Sequence, residues 1–81
     1  MDETAEAIEE LTLLMLYLTS WTEKGFAGHV RRAWKGYPFE TLDSLEQKDY
    51  ISQSKRAKSV YLTEAGIRQA EELKSKYLGR K

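Results

Sequence analysis

The run Ser59-Val60-Tyr61-Leu62-Thr63-Glu64-Ala65-Gly66 constrains the chain more than any other stretch. Val60 and Leu62 fall on one side of an extended segment and Ser59 and Tyr61 on the other, the period-two alternation of a half-buried strand. Thr63 follows at the point where a hydroxyl can accept a hydrogen bond from the first free N–H groups of a helix. Upstream, Tyr50-Ile51-Ser52-Gln53 reads as a second short strand, and Ser54-Lys55-Arg56-Ala57 as the polar turn between the two. One helix has to feed this hairpin and another has to leave it.

The leaving helix is expected over Glu64 to about Leu78, burying Ile67, Ala70, Leu73 and Tyr77. Gly66 in its first turn costs helix propensity, so another backbone is expected to approach closely there. The feeding helix is expected from about Pro38 to Lys48. Proline suits its opening, with Phe39, Leu42 and Leu45 inward and Glu40, Asp43, Ser44, Gln47 and Lys48 outward. Asp49 closes it. Between Ser20 and Gly36 the helical period is lost, with Gly25 and Gly28 bracketing a loop that includes Phe26. Residues 29–35 read either as a strand, with Val30, Arg32 and Trp34 on one side, or as a short helical turn.

A first helix is expected from about Thr4 to Thr19, with early acids suited to the positive end of its dipole. Ile8, Leu11, Leu14, Met15 and Leu18 share one face at helical spacing. Leu13, Leu16 and Tyr17 fall outside it, so the second half of the helix is apolar nearly all round. Such a helix is either a central rod wrapped by its own chain or is covered in part by a second copy. Both are expected to contribute, with Leu13, Leu16 and Tyr17 as the self-association surface of a homodimer.

Length allows a single domain over residues 1–81, with a small core whose stability a partner would raise. The chain contains no cysteine, hence no disulfide and no thiolate metal site. Leu11 to Leu18 is far short of the roughly 20 apolar residues a membrane helix needs. The acidic start of the chain is unlike a signal peptide, and a cytoplasmic location is expected. Thirteen basic and thirteen acidic residues cancel, but they are sorted along the chain. Charges up to Glu23 are negative, those from Lys24 to Lys35 positive, and the turn at Lys55, Arg56 and Lys58 is positive again. Sorted charge on a neutral chain permits separate faces of opposite sign.

Two resemblances follow from these residues. Leu42-x-x-Leu45-Glu46-x-x-Asp49-Tyr50-Ile51, the basic turn, and Val60-x-Leu62-Thr63-Glu64-x-Gly66 resemble the wing region of MarR-type and PadR-type transcriptional regulators, about a third of the chain. Leu16-Tyr17-Leu18-Thr19, Arg32-Ala33-Trp34-Lys35-Gly36, Leu42-Asp43-x-Leu45 and Ala57-Lys58-Ser59-Val60-x-Leu62-Thr63-Glu64-x-Gly66 are similar to a family of small uncharacterised bacterial proteins, over most of the chain. The expected fold is α+β and winged-helix-like: helix, short strand or turn, helix, β-hairpin wing, C-terminal helix. The regulators usually carry glycine where Asp49 stands, a small departure because aspartate tolerates left-handed backbone. A DNA-reading helix also needs a positioning helix before it, for which the segment ahead of Pro38 is short and aperiodic, and Glu40 and Asp43 would meet phosphates.

In a winged helix the first strand joins the wing in one sheet, so Arg31, Arg32 and Lys35 are expected to share a strip with Lys55, Arg56 and Lys58. That strip suits nucleic acid or an acidic protein partner; the alternative is a solvated sheet edge guarded by cations. On the feeding helix, Ser44, Gln47 and Lys48 are the residues able to read bases or phosphates. The aromatic load of Trp21, Trp34, Tyr17, Phe26, Tyr37, Phe39 and Tyr50 suits core filling first, then self-association or base stacking. Lone His29 has no second histidine or cysteine to share a metal, and no nucleophile–base pair or phosphate loop is recognisable. No metal, cofactor, small-molecule substrate or enzyme activity is expected. The expected behaviour is that of a binding module, with a protein–protein module lacking any DNA role as the alternative.

Overall fold

The computed structural model describes residues 3–25, 28–54 and 56–79, with backbone only at 25, 28 and 29. In chain order the elements are α1 (Glu3–Leu18), β1 (Trp21–Gly25), β2 (Gly28–Trp34), α2 (Phe39–Gln47), β3 (Ile51–Gln53), β4 (Ser59–Leu62) and α3 (Glu64–Leu78). The four strands form one antiparallel sheet in the order β1-β2-β4-β3. The architecture is therefore a small α+β fold with three helices on a four-stranded antiparallel sheet.

Alternation along the strands divides the sheet into two unlike faces. Ala33, Ile51, Val60 and Leu62 lie on the face turned to the helices and are buried with Leu13, Leu14 and Leu16 of α1, Leu42 and Leu45 of α2, and Ala70 and Leu73 of α3. This single cluster is the core. Tyr17, Tyr37, Tyr50 and Ile67 pack around it. Among the described residues, the other face of the sheet contributes no apolar residue to it.

The hairpin and its exit are built as the sequence implies. β3 and β4 pair with Ser52 opposite Tyr61, and β4 hands over directly to α3. Thr63 caps the helix, its Oγ1 accepting from the Gly66 N–H at 2.9 Å and donating to the Asp49 carbonyl at 2.6 Å. A cap of this kind stabilises by about 1 kcal/mol. Gly66 has no room for a side chain, since a Cβ there would lie 1.9 Å from the Tyr50 carbonyl oxygen. That oxygen also accepts from the Thr63 N–H at 3.1 Å, which holds the α2–β3 corner against the start of α3. The corner turns at Asp49, whose φ of 67° is left-handed.

The front half departs from expectation in three places. Of the two alternatives for residues 29–35 the strand holds, as far as Trp34, but it has a partner the alternation did not announce: β1, paired so that Trp21 lies opposite Arg32 and Gly25 opposite Gly28. Phe39 is 79% exposed at the first position of α2, where its helix has not yet reached the core that takes Leu42 and Leu45.

The third departure is the orientation of α1. Leu13 and Leu16, expected at a self-association surface, are at 1% and 0% exposure inside the chain's own core. Ile8, Leu11, Met15 and Leu18 face outward instead, each about half exposed. The acids accord with this rotation. Glu9 shares the inner side with Leu13 and Leu16, and there it accepts from the Ser44 hydroxyl at 2.7 Å and Lys48 Nζ at 2.6 Å. Glu10 accepts from Lys76 Nζ at 2.9 Å and the Tyr77 hydroxyl at 2.7 Å. Rotating the outward stripe into the core would turn these carboxylates away from their partners. Tyr17, the remaining self-association candidate, is partly buried, donating to Glu71 at 3.2 Å beneath the Arg31 guanidinium.

Candidate functional site

The sheet face opposite the helices carries Trp21 and Glu23 from β1, Val30, Arg32 and Trp34 from β2, Ser59 and Tyr61 from β4, and Ser52 from β3. The register makes Arg32 its centre, with Trp21 opposite on β1 and Tyr61 opposite on β4. Opposed and diagonal neighbours on one face are within side-chain reach, and every polar group of Arg32 is used. Its Nε and Nη2 donate to Ser59 Oγ at 3.0 and 2.7 Å, and Nη1 donates to Glu23 Oε1 at 2.9 Å. The guanidinium carbon sits 4.6 Å from the centre of the Tyr61 ring, within cation–π range.

Two residues along β2, Trp34 leans on Trp21 with ring centres 5.1 Å apart and planes inclined by 46°. Trp34 nonetheless remains 64% exposed, and Tyr61 is exposed beside it. The result is an open face with the Trp21–Trp34 pair on one side of Arg32 and Tyr61 beneath its guanidinium on the other, the arginine itself held by three hydrogen bonds.

The cations singled out from sequence are split by this geometry. Arg31 lies on the other face of β2, over the Tyr17 ring at 4.8 Å, with Nη1 donating to Ser20 Oγ at 2.7 Å. It is taken out of any common strip because adjacent strand residues point to opposite sides. Arg32 sits on the open face with its charge offset by Glu23. Lys35 joins the two groups: its N–H donates to the Lys58 carbonyl at 3.1 Å and its Nζ to the Ser54 carbonyl at 2.9 Å. Arg56 and Lys58 are exposed at the hairpin turn next to the Trp34 end of the sheet; Lys55 lies outside the described residues. The strip is thus three described cations at one end and a neutralised arginine in the middle.

The face of α2 proposed to read bases is not free. Ser44 and Lys48 are the two residues that hold Glu9 of α1, and only Gln47 points away exposed. Toward the wing, Asp43 and Glu46 accept from the Gln53 side chain at 3.1 and 2.9 Å. What α2 offers outward is carboxylate. The Lys48 ammonium and the Ser44 hydroxyl hold the Glu9 carboxyl below its ordinary range, and Tyr77 and Lys76 do the same for Glu10; Lys48 and Lys76 are raised in return. Among the described residues no group of three or more His, Asp or Glu is arranged to hold a metal ion, and no helix is long and apolar enough to cross a membrane.

Sequence reasoning named Trp21, Trp34 and Arg32 separately but not their convergence, nor the role of Ser59, Tyr61 and Glu23. The missing signal was the hairpin of β1 and β2. Two short runs with aromatic and β-branched residues flank a glycine-bracketed loop, and pairing them across it would have placed Trp21 beside Trp34.

A sequence profile for a domain of unknown function, DUF6429, matches residues 4–80. An uncharacterised protein of Sinorhizobium fredii, y4hR, is 34% identical over 74 residues, covering 90% of this chain and 90% of its own. No solved structure matches the chain.

Proposed function

Because the chain belongs to the DUF6429 family, whose function is unknown, we propose its role from geometry: a non-enzymatic, winged-helix-like binding module that takes single-stranded nucleic acid on its open sheet face. The element order supports the winged-helix likeness, since a helix feeds a hairpin, the hairpin pairs with an earlier strand, and a helix closes the unit. Where a helix-turn-helix protein has its positioning helix, this chain has the β1–β2 hairpin. That exchange moves the useful surface from helix to sheet. α2 presents Glu40, Asp43 and Glu46, which phosphates repel, and its Ser44 and Lys48 are engaged with Glu9.

The observation that carries the proposal is the aromatic group of Trp21, Trp34 and Tyr61, set around Arg32 and flanked by Lys35, Arg56 and Lys58. Bases stack on such rings irrespective of sequence while cations at the rim follow the backbone. The neutral Arg32–Glu23 pair favours a second reading, in which the same face docks a protein surface and no nucleic acid.

Titration with an oligothymidylate of about a dozen nucleotides at low salt, followed by tryptophan fluorescence, separates the two. Stacking should quench the signal, bind more tightly than a duplex of equal length, and weaken about tenfold in Trp34→Ala. The exposure of Trp34 means that variant should keep the fold. Unchanged fluorescence with no binding by the unmodified protein would leave the protein-docking reading in its place.

A further inference from the structure

The outward side of α1 carries four of the exposed large apolar side chains among the described residues, and the sheet-face reading uses none of them. Ile8, Leu11, Met15 and Leu18 are 46%, 46%, 47% and 46% exposed. Their separations of three, four and three residues are those of a coiled-coil seam, so they form a straight stripe along three turns rather than scattered surface residues. Ala7, which flanks it on the helix, and Thr19, just past the helix end, are small and uncharged. We infer that this stripe is the seam of an antiparallel helix pair formed with a second copy of this chain.

Charge selects both the occupant and its direction. Every charge on α1 is acidic, namely Glu3, Glu6, Glu9 and Glu10, and all lie in its first half. None is on the stripe, and Glu9 and Glu10 are tied to Ser44, Lys48, Lys76 and Tyr77 of their own chain. The stripe therefore offers nothing to a charged peptide. An anionic lipid surface fits poorly too, because helices that lie on membranes carry lysine and arginine beside their apolar face, and α1 has neither.

A second α1 meets the stripe with matching spacing. Placed parallel, it would set four carboxylates beside four others. Placed antiparallel, it stacks Ile8 on Leu18 of the other copy and Leu11 on Met15. The centres of the two acidic halves then lie about 20 Å apart along the axis and their nearest carboxylates, the two Glu10, about 9 Å, at 1.5 Å rise per residue, against a screening length of about 8 Å in physiological salt. The helix dipoles also oppose, which favours the pair.

The interface is small. Helices of this length cover at most about 1,200 Å² in total, the low end for specific complexes, so the dimer should be reversible with a dissociation constant on the order of 10–100 μM. The sheet face uses none of these residues and stays open in both copies.

Sedimentation of the unmodified chain from about 5 to 500 μM should show its mean mass rising from one copy toward two. Leu11→Glu and Met15→Glu should each hold it at one copy across that range, with unchanged far-ultraviolet dichroism because both positions are outside the core. The absence of native cysteine allows a direct test of direction. Mixing Leu11→Cys protein with Met15→Cys protein under mild oxidation should give the mixed disulfide in preference to either symmetric one. A mass of one copy at 500 μM, a dimer unaffected by Leu11→Glu, a predominant Leu11→Cys self-disulfide, or monomer drawn onto neutral or anionic vesicles would each overturn the inference. None of these readouts depends on nucleic acid, so the two proposals fail separately.

Discussion

At the junction of β4 and α3, the chain meets every local demand with its own atoms; along α1, it meets them on one side only. The junction's Thr63 hydroxyl both accepts from Gly66 and donates to Asp49, and the Tyr50 carbonyl is bonded to Thr63. The helix start, the corner and the strand exit are interlocked through backbone. α1 turns Glu9, Glu10, Leu13 and Leu16 toward its own chain and leaves four large side chains half in water. The first region is finished as a monomer. The second leaves open the stripe from which self-association is proposed. Buried and interlocked atoms should respond sharply to a single methyl group, and open ones should respond to charge without loss of fold.

The sharpest break in that contrast is Gly66→Ala. Its Cβ would stand 1.9 Å from the Tyr50 carbonyl oxygen, and the obstacle is backbone, so the α2–β3 corner and α3 must separate. Overpacking of this kind costs about 3 kcal/mol or more, a large share of the margin of so small a domain. Urea denaturation should show the midpoint collapsing toward zero denaturant. A loss below about 1 kcal/mol would mean that the junction yields and the contrast with α1 is overstated.

This junction was also the most legible part of the chain. Capping threonine and strand alternation are local signals with causes within a few residues, and a glycine in the first turn of a helix announces a close approach even though the backbone it meets, at Tyr50, is sixteen residues away. The β1–β2 hairpin was not legible, because Trp21-Thr22-Glu23-Lys24-Gly25 becomes a strand by pairing rather than by pattern. α1 was legible as a helix but not in its rotation. Two apolar stripes compete on it, and the partners of the carboxylates on its inner side, Lys48 and Lys76, lie thirty or more residues away in sequence. Leu42 and Leu45 were placed correctly for the opposite reason, since α2 has only one apolar side past its first turn. The candidate site was legible as a list of aromatic and basic residues; its geometry depended on the hairpin that pattern alone did not reveal.

The intermediate test asks how firmly the inner side of α1 is held. The Glu9 and Glu10 carboxyls titrate below their ordinary range in the folded chain, held there by Lys48 with Ser44 and by Tyr77 with Lys76. A depressed carboxyl contributes stability that is complete above the unfolded value, about pH 4.3, and is lost as the pH falls through the folded one. Stability measured by urea should therefore decline as the pH falls below the unfolded value, and Glu9→Gln should flatten that decline. With Lys48 half exposed, the Glu9 pair is worth about 1 kcal/mol at most, and the more open Glu10 pair less. An acid limb unchanged in Glu9→Gln would show that packing of Leu13 and Leu16, rather than charge, fixes the rotation.

The smallest expected effect has the opposite sign. Asp49 turns the α2–β3 corner at φ 67°, where a side chain costs energy that glycine does not. Its carbonyl accepts from Thr63, and its N–H donates to the Glu46 carbonyl at 2.9 Å, and glycine would keep both. Asp49→Gly should therefore relieve backbone strain while adding freedom to the unfolded chain, two terms that oppose each other. Aspartate bears the left-handed conformation better than most residues, so the relief is about 1 kcal/mol and the net gain about 0.5 kcal/mol. A small rise in the urea midpoint at unchanged slope would support this. A fall would mean that the unfolded-state term outweighs the relief, or that the carboxylate itself steadies the corner, and Asp49→Asn separates these because asparagine tolerates the same φ without the charge.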